Sequence, residues 1–344
     1  MTFEECFSFE NLIKMHKRCR VGKTHKKEVI GFELNLGENL IKLSMEVLKG
    51  YKVSKYKKFK IYEPKERIIE ALPYKDRLVQ MALCCGIIEP ILGRKLVYDN
   101  TACQKGKGTH FAIKRLHGFL NKFYINNKSN AGYFLKVDIA KYFASINHEI
   151  LKNKLLKCFN DKKTLELMFK FIDSSNCESG YGLPLGNQTS QWFALLYLDE
   201  IDRLIKETMR FKYYVRYMDD LIIICEDKEK LEKAKIEIDD KCKKNLKLNI
   251  NAKTQIGLLK NGIDFLGFRH ILSESGKIIM LLRQQAKYRI KNKLKLIKKL
   301  KDNGYITDDK IKLRLNAYKG HLQNSNSYKY FVKLKNNLGL EAIN

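Results

Sequence analysis

Acidic residues are scarce in this chain. Its 344 residues include 38 Asp and Glu against 67 Lys and Arg, a formal charge of +29. Such a surplus repels itself and costs folding free energy unless an anion screens it. Long apolar runs are missing as well: stretches such as Leu221–Cys225 fall far short of the roughly 20 residues a membrane span needs, so no membrane role is expected. The N-terminus has no apolar segment ahead of a small-residue cleavage site, and no secretory signal is visible. With four prolines, no internal repeat and no Pro/Gly/Ser-rich linker, the chain reads as one continuous body. Nine cysteines are present, but no C-x-x-C pair and no paired histidine spacing that would complete a zinc site. They read as reduced thiols packed as small hydrophobes, and the expected location is cytoplasmic. What is plentiful excludes a disordered tail: 44% of residues are hydrophobic and 11% aromatic. The length suits about two domains, or one subdivided body with a real core.

The positive charge is clustered. Arg283 to Lys301 carries nine basic residues and no acid, with Tyr288, Ile290, Leu294, Ile297 and Leu300 at helical spacing. That pattern predicts an amphipathic helix with a positive face, on which Arg283, Lys287, Arg289 and Lys291 are candidates for nucleic-acid contacts. A calmodulin-target or membrane-surface helix would look similar. Two further basic stretches, Lys14–Lys27 and Tyr51–Lys60, favour a polyanion groove, since each phosphate neutralised by Lys or Arg releases a counterion.

The first third alternates helical stretches (Leu40–Leu48, Lys75–Cys85) with short strand-like runs such as Phe59–Tyr62. Tyr133–Val137 is a strand candidate ending in Asp138, and a helix is expected around His148–Phe159. Gly182–Gly186 reads as a loop, and Asn187–Lys206 as one long buried helix. Tyr213–Tyr217 and Leu221–Cys225 read as strands flanking Met218-Asp219-Asp220. A charged helix (Glu226–Lys244), a strand region ending at Phe268 and a helical, basic last sixty residues complete the chain. This order predicts an α+β fold with helices on one face of a sheet.

Adjacent carboxylates at a hairpin tip repel each other, and local turn hydrogen bonding explains one Asp better than two. A divalent cation would remove the repulsion. Asp138 supplies a third carboxylate, also at the end of an apolar strand. If the two strands are neighbours in one sheet, the carboxylates converge at its edge, where they could hold two Mg²⁺ ions for in-line phosphoryl displacement. Oxygen-only ligands suit Mg²⁺.

These residues resemble the palm of a reverse transcriptase: strand-Asp138 followed by Phe143, a loop into a helix, and Tyr217-Met218-Asp219-Asp220 as the family's YxDD box. Pro64–Ile68 with Asp76–Gln80 resembles the fingers signature of bacterial reverse transcriptases, and Ala102–His110 resembles the segment that follows it. Lys253-Thr254 is similar to the lysine-bearing motif, and Phe265-Leu266-Gly267-Phe268 to the primer grip. At the loop contacting nucleotide and template, the sequence reads Pro184-Leu185-Gly186-Asn187-Gln188-Thr189-Ser190-Gln191. Leu185 stands where most of the family has Gln, and Gln191 where it has Pro. This variant resembles the enzymes of diversity-generating retroelements, which copy a template RNA with errors at adenines.

The resemblance implies a right-hand polymerase: N-terminal extension and fingers over 1–130, a palm with an antiparallel sheet over 131–282, and a basic helical thumb over 283–344. Asp138, Asp219 and Asp220 would be catalytic and hold the metals, together with the Ile139 carbonyl. Phe143 would exclude a ribose 2′-hydroxyl. Lys65 and Arg67 would meet the triphosphate, as would Lys253 the departing pyrophosphate, with Leu185, Gly186 and Gln191 also in the nucleotide site. Implied partners are template RNA and its RNA/DNA hybrid, deoxynucleotide triphosphates, and a small basic oligomeric accessory variability protein. Alternatives are a retron, antiphage-defence or group II intron-type reverse transcriptase, or an RNA-binding scaffold without catalysis.

Overall fold

The computed structural model describes residues 1–62, 66–174 and 180–340. Lys65, expected at the nucleotide site, lies outside the described residues. The chain is an α+β fold, with nine strands among the described residues: β1 (Lys57–Ile61), β2 (Arg67–Ala71), β3 (Tyr133–Asp138), β4 (Tyr213–Tyr217), β5 (Asp220–Cys225), β6 (Gln255–Leu258), β7 (Ile263–Phe265), β8 (Phe268–Leu272) and β9 (Ile278–Leu282). They form a β1-β2 hairpin, a sheet in the order β4-β5-β3-β6, and a sheet β7-β8-β9. The described contacts divide the chain into two units, one of residues 1–112, 137–221 and 233–254, the other of 113–136, 222–232 and 255–344. Strands β3 and β5 run from one unit into the other.

The first unit is mainly helical. Several of its helices start where a side chain satisfies a free backbone N–H group. Asn147 accepts from the Ile150 N–H at 3.0 Å and so begins His148–Leu156. Asp161 does the same for Thr164 at 2.8 Å ahead of Lys162–Asp173. The expected helix over Asn187–Lys206 divides into Gln188–Tyr197, Asp199–Arg203 and a wider turn at Leu204–Thr208. Trp192, Phe193, Ala194, Leu195 and Leu196 are buried in succession, as befits a helix enclosed on every side.

The second unit holds β7-β8-β9, with Phe265 opposite Phe268 and Phe268 opposite Leu282. Its core joins Phe268, Met280 and Leu282 to Ile290, Leu294 and Ile297 of the helix Gln284–Asp302. That spacing of four and three residues is the inward stripe expected of an amphipathic helix. Tyr288, expected on the same stripe, is instead 65% exposed. It lies two residues before Ile290, about 200° away around a helix of 3.6 residues per turn. Phe268, expected to end a strand region, instead begins β8.

Candidate functional site

β3 and β5 are neighbours in the four-stranded sheet. Asp138 is the last residue of β3, Asp220 is the first of β5, and Asp219 sits in the turn before it. All three side chains are half-buried. Burial pushes the Asp219 carboxyl above the ordinary carboxylate range; the charge on Asp138 adds to the rise, and its own backbone hydrogen bond, Arg67 and Arg216 oppose it. Asp138, Asp219 and Arg67 thus share one electrostatic neighbourhood, and two of the three are like charges. Among the described residues, no three His, Cys, Asp or Glu side chains gather as a metal-ligand group.

The backbone around Asp138 is fixed by the segment after the helix Lys228–Leu246. Asn251 N–H donates to the Asp138 carbonyl at 2.6 Å, and Asp138 N–H donates to Thr254 Oγ1 at 3.3 Å. Ile139 is buried and bridges Ile250, and Ala140 N–H donates to the Asn249 carbonyl at 2.9 Å. Lys253 is exposed in the same turn, its N–H donating to Asn251 Oδ1 at 3.1 Å.

The turn bearing Asp219 is held from beneath. Met218 has φ +55°, a conformation disfavoured for a residue with a Cβ. Arg216 on β4, 0% exposed, donates to the Met218 carbonyl at 2.9 Å. The same guanidinium grips Asp202, also 0% exposed, through Nε at 2.7 Å and Nη2 at 2.5 Å, and donates to the Leu195 carbonyl at 3.0 Å. The Tyr214 hydroxyl donates to Asp202 as well. Burial raises the Asp202 carboxyl, and Arg216 and Tyr214 pull it back. Sequence reading missed this group. An Asp and an Arg fourteen positions apart carry no spacing signal, although an arginine inside the apolar run Tyr213–Tyr217 was a clue.

The loop 184–186 lies along β2. Glu70 N–H donates to the Leu185 carbonyl at 3.0 Å. Gly186 has φ +130°, and a Cβ there would meet the Glu70 carbonyl oxygen at 2.8 Å. Only glycine combines that conformation with so close an approach. Gln80 Oε1 accepts from the Gln188 N–H at 2.9 Å and so fixes the start of the next helix. Leu185 is half-buried and Gln191 exposed. Phe143 is half-buried, its ring 5.7 Å from that of Tyr142, and its carbonyl accepts from Leu183 N–H at 2.8 Å.

The remaining candidates belong to the second unit. Phe265, Leu266 and Gly267 form the tight turn between β7 and β8, with φ +49° at Leu266 and +89° at Gly267. Behind it, His270 Nε2 lies 3.2 Å from the Phe265 carbonyl and its Nδ1 2.9 Å from His117 Nε2. Arg283 lies 3.6 Å from Asp264. Lys287 stands over the Tyr330 ring at 5.6 Å, and Arg289 and Lys291 are exposed. The eight described cysteines are free. Among the described residues no helix is long and apolar enough to cross a membrane.

Asp138 and Asp220 thus stand at the ends of two neighbouring strands of an α+β fold. Residues 56–270 match the family reverse transcriptase (RNA-dependent DNA polymerase). The chain belongs to that family. A Saccharomyces cerevisiae (strain ATCC 204508 / S288c) protein named for intron 2 of COX1/OXI3 is 24% identical over an alignment covering 42% of this chain and 24% of that protein. Telomerase from Candida albicans, solved in complex with a TWJ fragment of telomeric RNA, superposes with a TM-score of 0.54 at 13% identity, covering 85% of this chain and 60% of that one. The chain therefore spans about a quarter of the curated relative and three fifths of the telomerase chain; the telomerase likeness is one of fold.

Proposed function

We propose that the chain is an RNA-directed DNA polymerase organised as fingers, palm and basic thumb. The observation that carries this reading is that Asp138 ends β3 and Asp220 begins the neighbouring strand β5, with Asp219 in the turn before it. Two like charges in a partly desolvated site favour a cation between them. Asp138 and Asp219, with Asp220 and the Ile139 carbonyl, form an all-oxygen donor set that would hold two Mg²⁺ ions, which when bound activate the primer 3′-hydroxyl and neutralise the leaving pyrophosphate. Arg67 adds fixed positive charge for the triphosphate, with Lys65 and Lys253 as its companions. Phe143 excludes a ribose 2′-hydroxyl by bulk. Gly186 and Gln191 line the nucleotide side of the loop, and Phe265, Leu266 and Gly267 grip the primer. Arg283, Lys287, Arg289 and Lys291 neutralise backbone phosphates of the RNA/DNA hybrid. The test is primer extension on an RNA template: Asp219→Ala is expected to lose at least about 100-fold in rate, and extension at the wild-type rate would remove the assignment.

Within this class the loop supports the error-prone enzyme of a diversity-generating retroelement, working with template RNA and a small basic oligomeric accessory protein. A glutamine amide at 185 would hydrogen-bond and fix a nucleotide; leucine offers apolar contact and a looser geometric check. Leu185→Gln is expected to lower misincorporation opposite template adenine, read by sequencing the products of both proteins on one template. Equal error spectra would remove this finer reading and leave the intron-type alternative, which the likeness to the COX1/OXI3 intron protein favours.

A further inference from the structure

The helix Gln188–Tyr197 begins without the cap its sequence offers. Asn187 occupies the N-cap position, where an asparagine side chain ordinarily accepts from a backbone N–H of the first turn, yet it makes no such bond. Its Nδ2 instead donates to the Tyr56 hydroxyl at 2.7 Å. The acceptor for the helix start comes from another helix, Tyr74–Leu83. Gln80 Oε1 takes the Gln188 N–H at 2.9 Å and stands 3.5 Å from both the N–H and the hydroxyl of Thr189.

Tyr56 is anchored in turn. Its hydroxyl lies 2.8 Å from Ser174 Oγ. The segment leading to it is tied down by Asp76 Oδ1, which accepts from the Tyr51 hydroxyl at 2.8 Å and from the Ser54 N–H at 3.0 Å. Asp76 and Gln80 are one turn apart on the helix Tyr74–Leu83, and both are buried. That helix therefore holds residues 187–188 by two routes, directly through Gln80 and at one remove through Asp76 and Tyr56. Folding alone does not account for the arrangement. An asparagine turned onto its own helix would supply the cap without Gln80. Gln80 Nε2 is buried with no protein partner among the described residues, a cost in free energy that an apolar side chain at 80 would not carry.

We propose that Gln80 and Tyr56 are positioning residues for nucleotide selection, which act through Gln188 and Asn187 to set where the 185–191 loop stands when an incoming deoxynucleotide is tested; the proposal rests on the polymerase reading. Both bonds are directional and both come from outside the loop, so they fix its orientation as well as its position. A loop held in this way keeps one geometry against matched and mismatched nucleotides. Released, it relaxes around either, and the difference between them in transition-state binding shrinks.

The test measures single-nucleotide insertion on an RNA template, with KM and kcat for a matched and a mismatched deoxynucleotide, in wild type, Tyr56→Phe and Gln80→Met. Each variant is expected to raise the KM for the matched nucleotide about tenfold, the scale of one lost hydrogen bond, with kcat little changed and the mismatched nucleotide gaining in relative kcat/KM. Asn187→Ser restores a cap from within the helix but gives up the Tyr56 hydroxyl. It should therefore match wild type in a urea titration while showing the KM of Tyr56→Phe, and the double variant should be no worse than either alone. Unchanged KM and mismatch ratio in Tyr56→Phe, which removes one oxygen and is the variant surest to fold, would overturn the proposal. So would a loss of kcat with KM unchanged, or effects of Tyr56→Phe and Asn187→Ser that simply add. Hydrogen exchange at the Gln188 and Thr189 amides reads the anchoring without substrate: faster exchange in Gln80→Met is expected, and unchanged exchange would overturn it. A wild-type protein that inserted no deoxynucleotide would defeat the polymerase reading separately.

Discussion

Two tight turns put a bulky residue in left-handed backbone: Met218 at φ +55°, between β4 and β5, and Leu266 at φ +49°, between β7 and β8. The first is supported by ions. Arg216 reaches the Met218 carbonyl while its other nitrogens hold Asp202, and the whole group is out of solvent. The second is supported by packing. Phe265 and Phe268 flank it and are buried, and neutral histidines sit behind it. Directional hydrogen bonds fix the orientation of a turn, whereas apolar packing fixes mainly its position. The turn that presents a carboxylate has the directional support.

The sharpest way to break this comparison is Arg216→Met. It leaves Asp202 buried without a counter-charge, a loss of about 3–5 kcal/mol, and it removes the donor to Met218. A fall of at least about 100-fold in primer extension by the folded fraction is expected. Asp202→Leu/Arg216→Met should regain most of the stability in a urea titration, since apolar replacement of a buried pair is often neutral, but not the activity. Recovery of both would show that the ions do not orient the turn.

The second turn is expected to respond to acid. Burial, then the neighbouring His117, lower His270 to about 4. The unfolded chain takes up this proton near pH 6.5 and the folded one only near 4, so the unfolded state binds more protons between those values. The histidine's contribution is complete above pH 6.5, and roughly 3 kcal/mol is lost as pH falls to 4. His270→Phe should flatten that part of the stability–pH curve, and a curve of unchanged slope would count against the buried neutral pair. The smallest expected effect is Gly267→Ala. Its Cβ would meet nothing within 4 Å, so only the positive φ resists, at about 1 kcal/mol; a drop of several kcal/mol in the same titration would mean that packing at this turn is tighter than described.

The two regions also differed in how far the sequence disclosed them. Apolar runs that stop at an acid, at Asp138 and before Asp219, announced strands β3 and β4 and where they end, because charge is costly to continue into a buried strand. β7-β8-β9 was obscured. Its inward face alternates through Phe268, His270 and Leu272, and a buried histidine breaks the apolar pattern. The Asp202–Arg216 pair was invisible for a related reason: in a chain with 67 basic residues, one more arginine looks like surface until its burial is seen. Tyr288 misled in the opposite direction, since an aromatic close in sequence to a stripe reads as part of it even from the far side of the helix.

The join between β2 and the 184–186 loop is main chain on both sides. Such a join does not itself depend on the identity of the side chain at 185. Leucine and glutamine codons can differ by one nucleotide, so the chemistry offered at that position can be exchanged in a single genetic step without rebuilding the loop. Copying accuracy would then be open to selection as a trait separable from foldability.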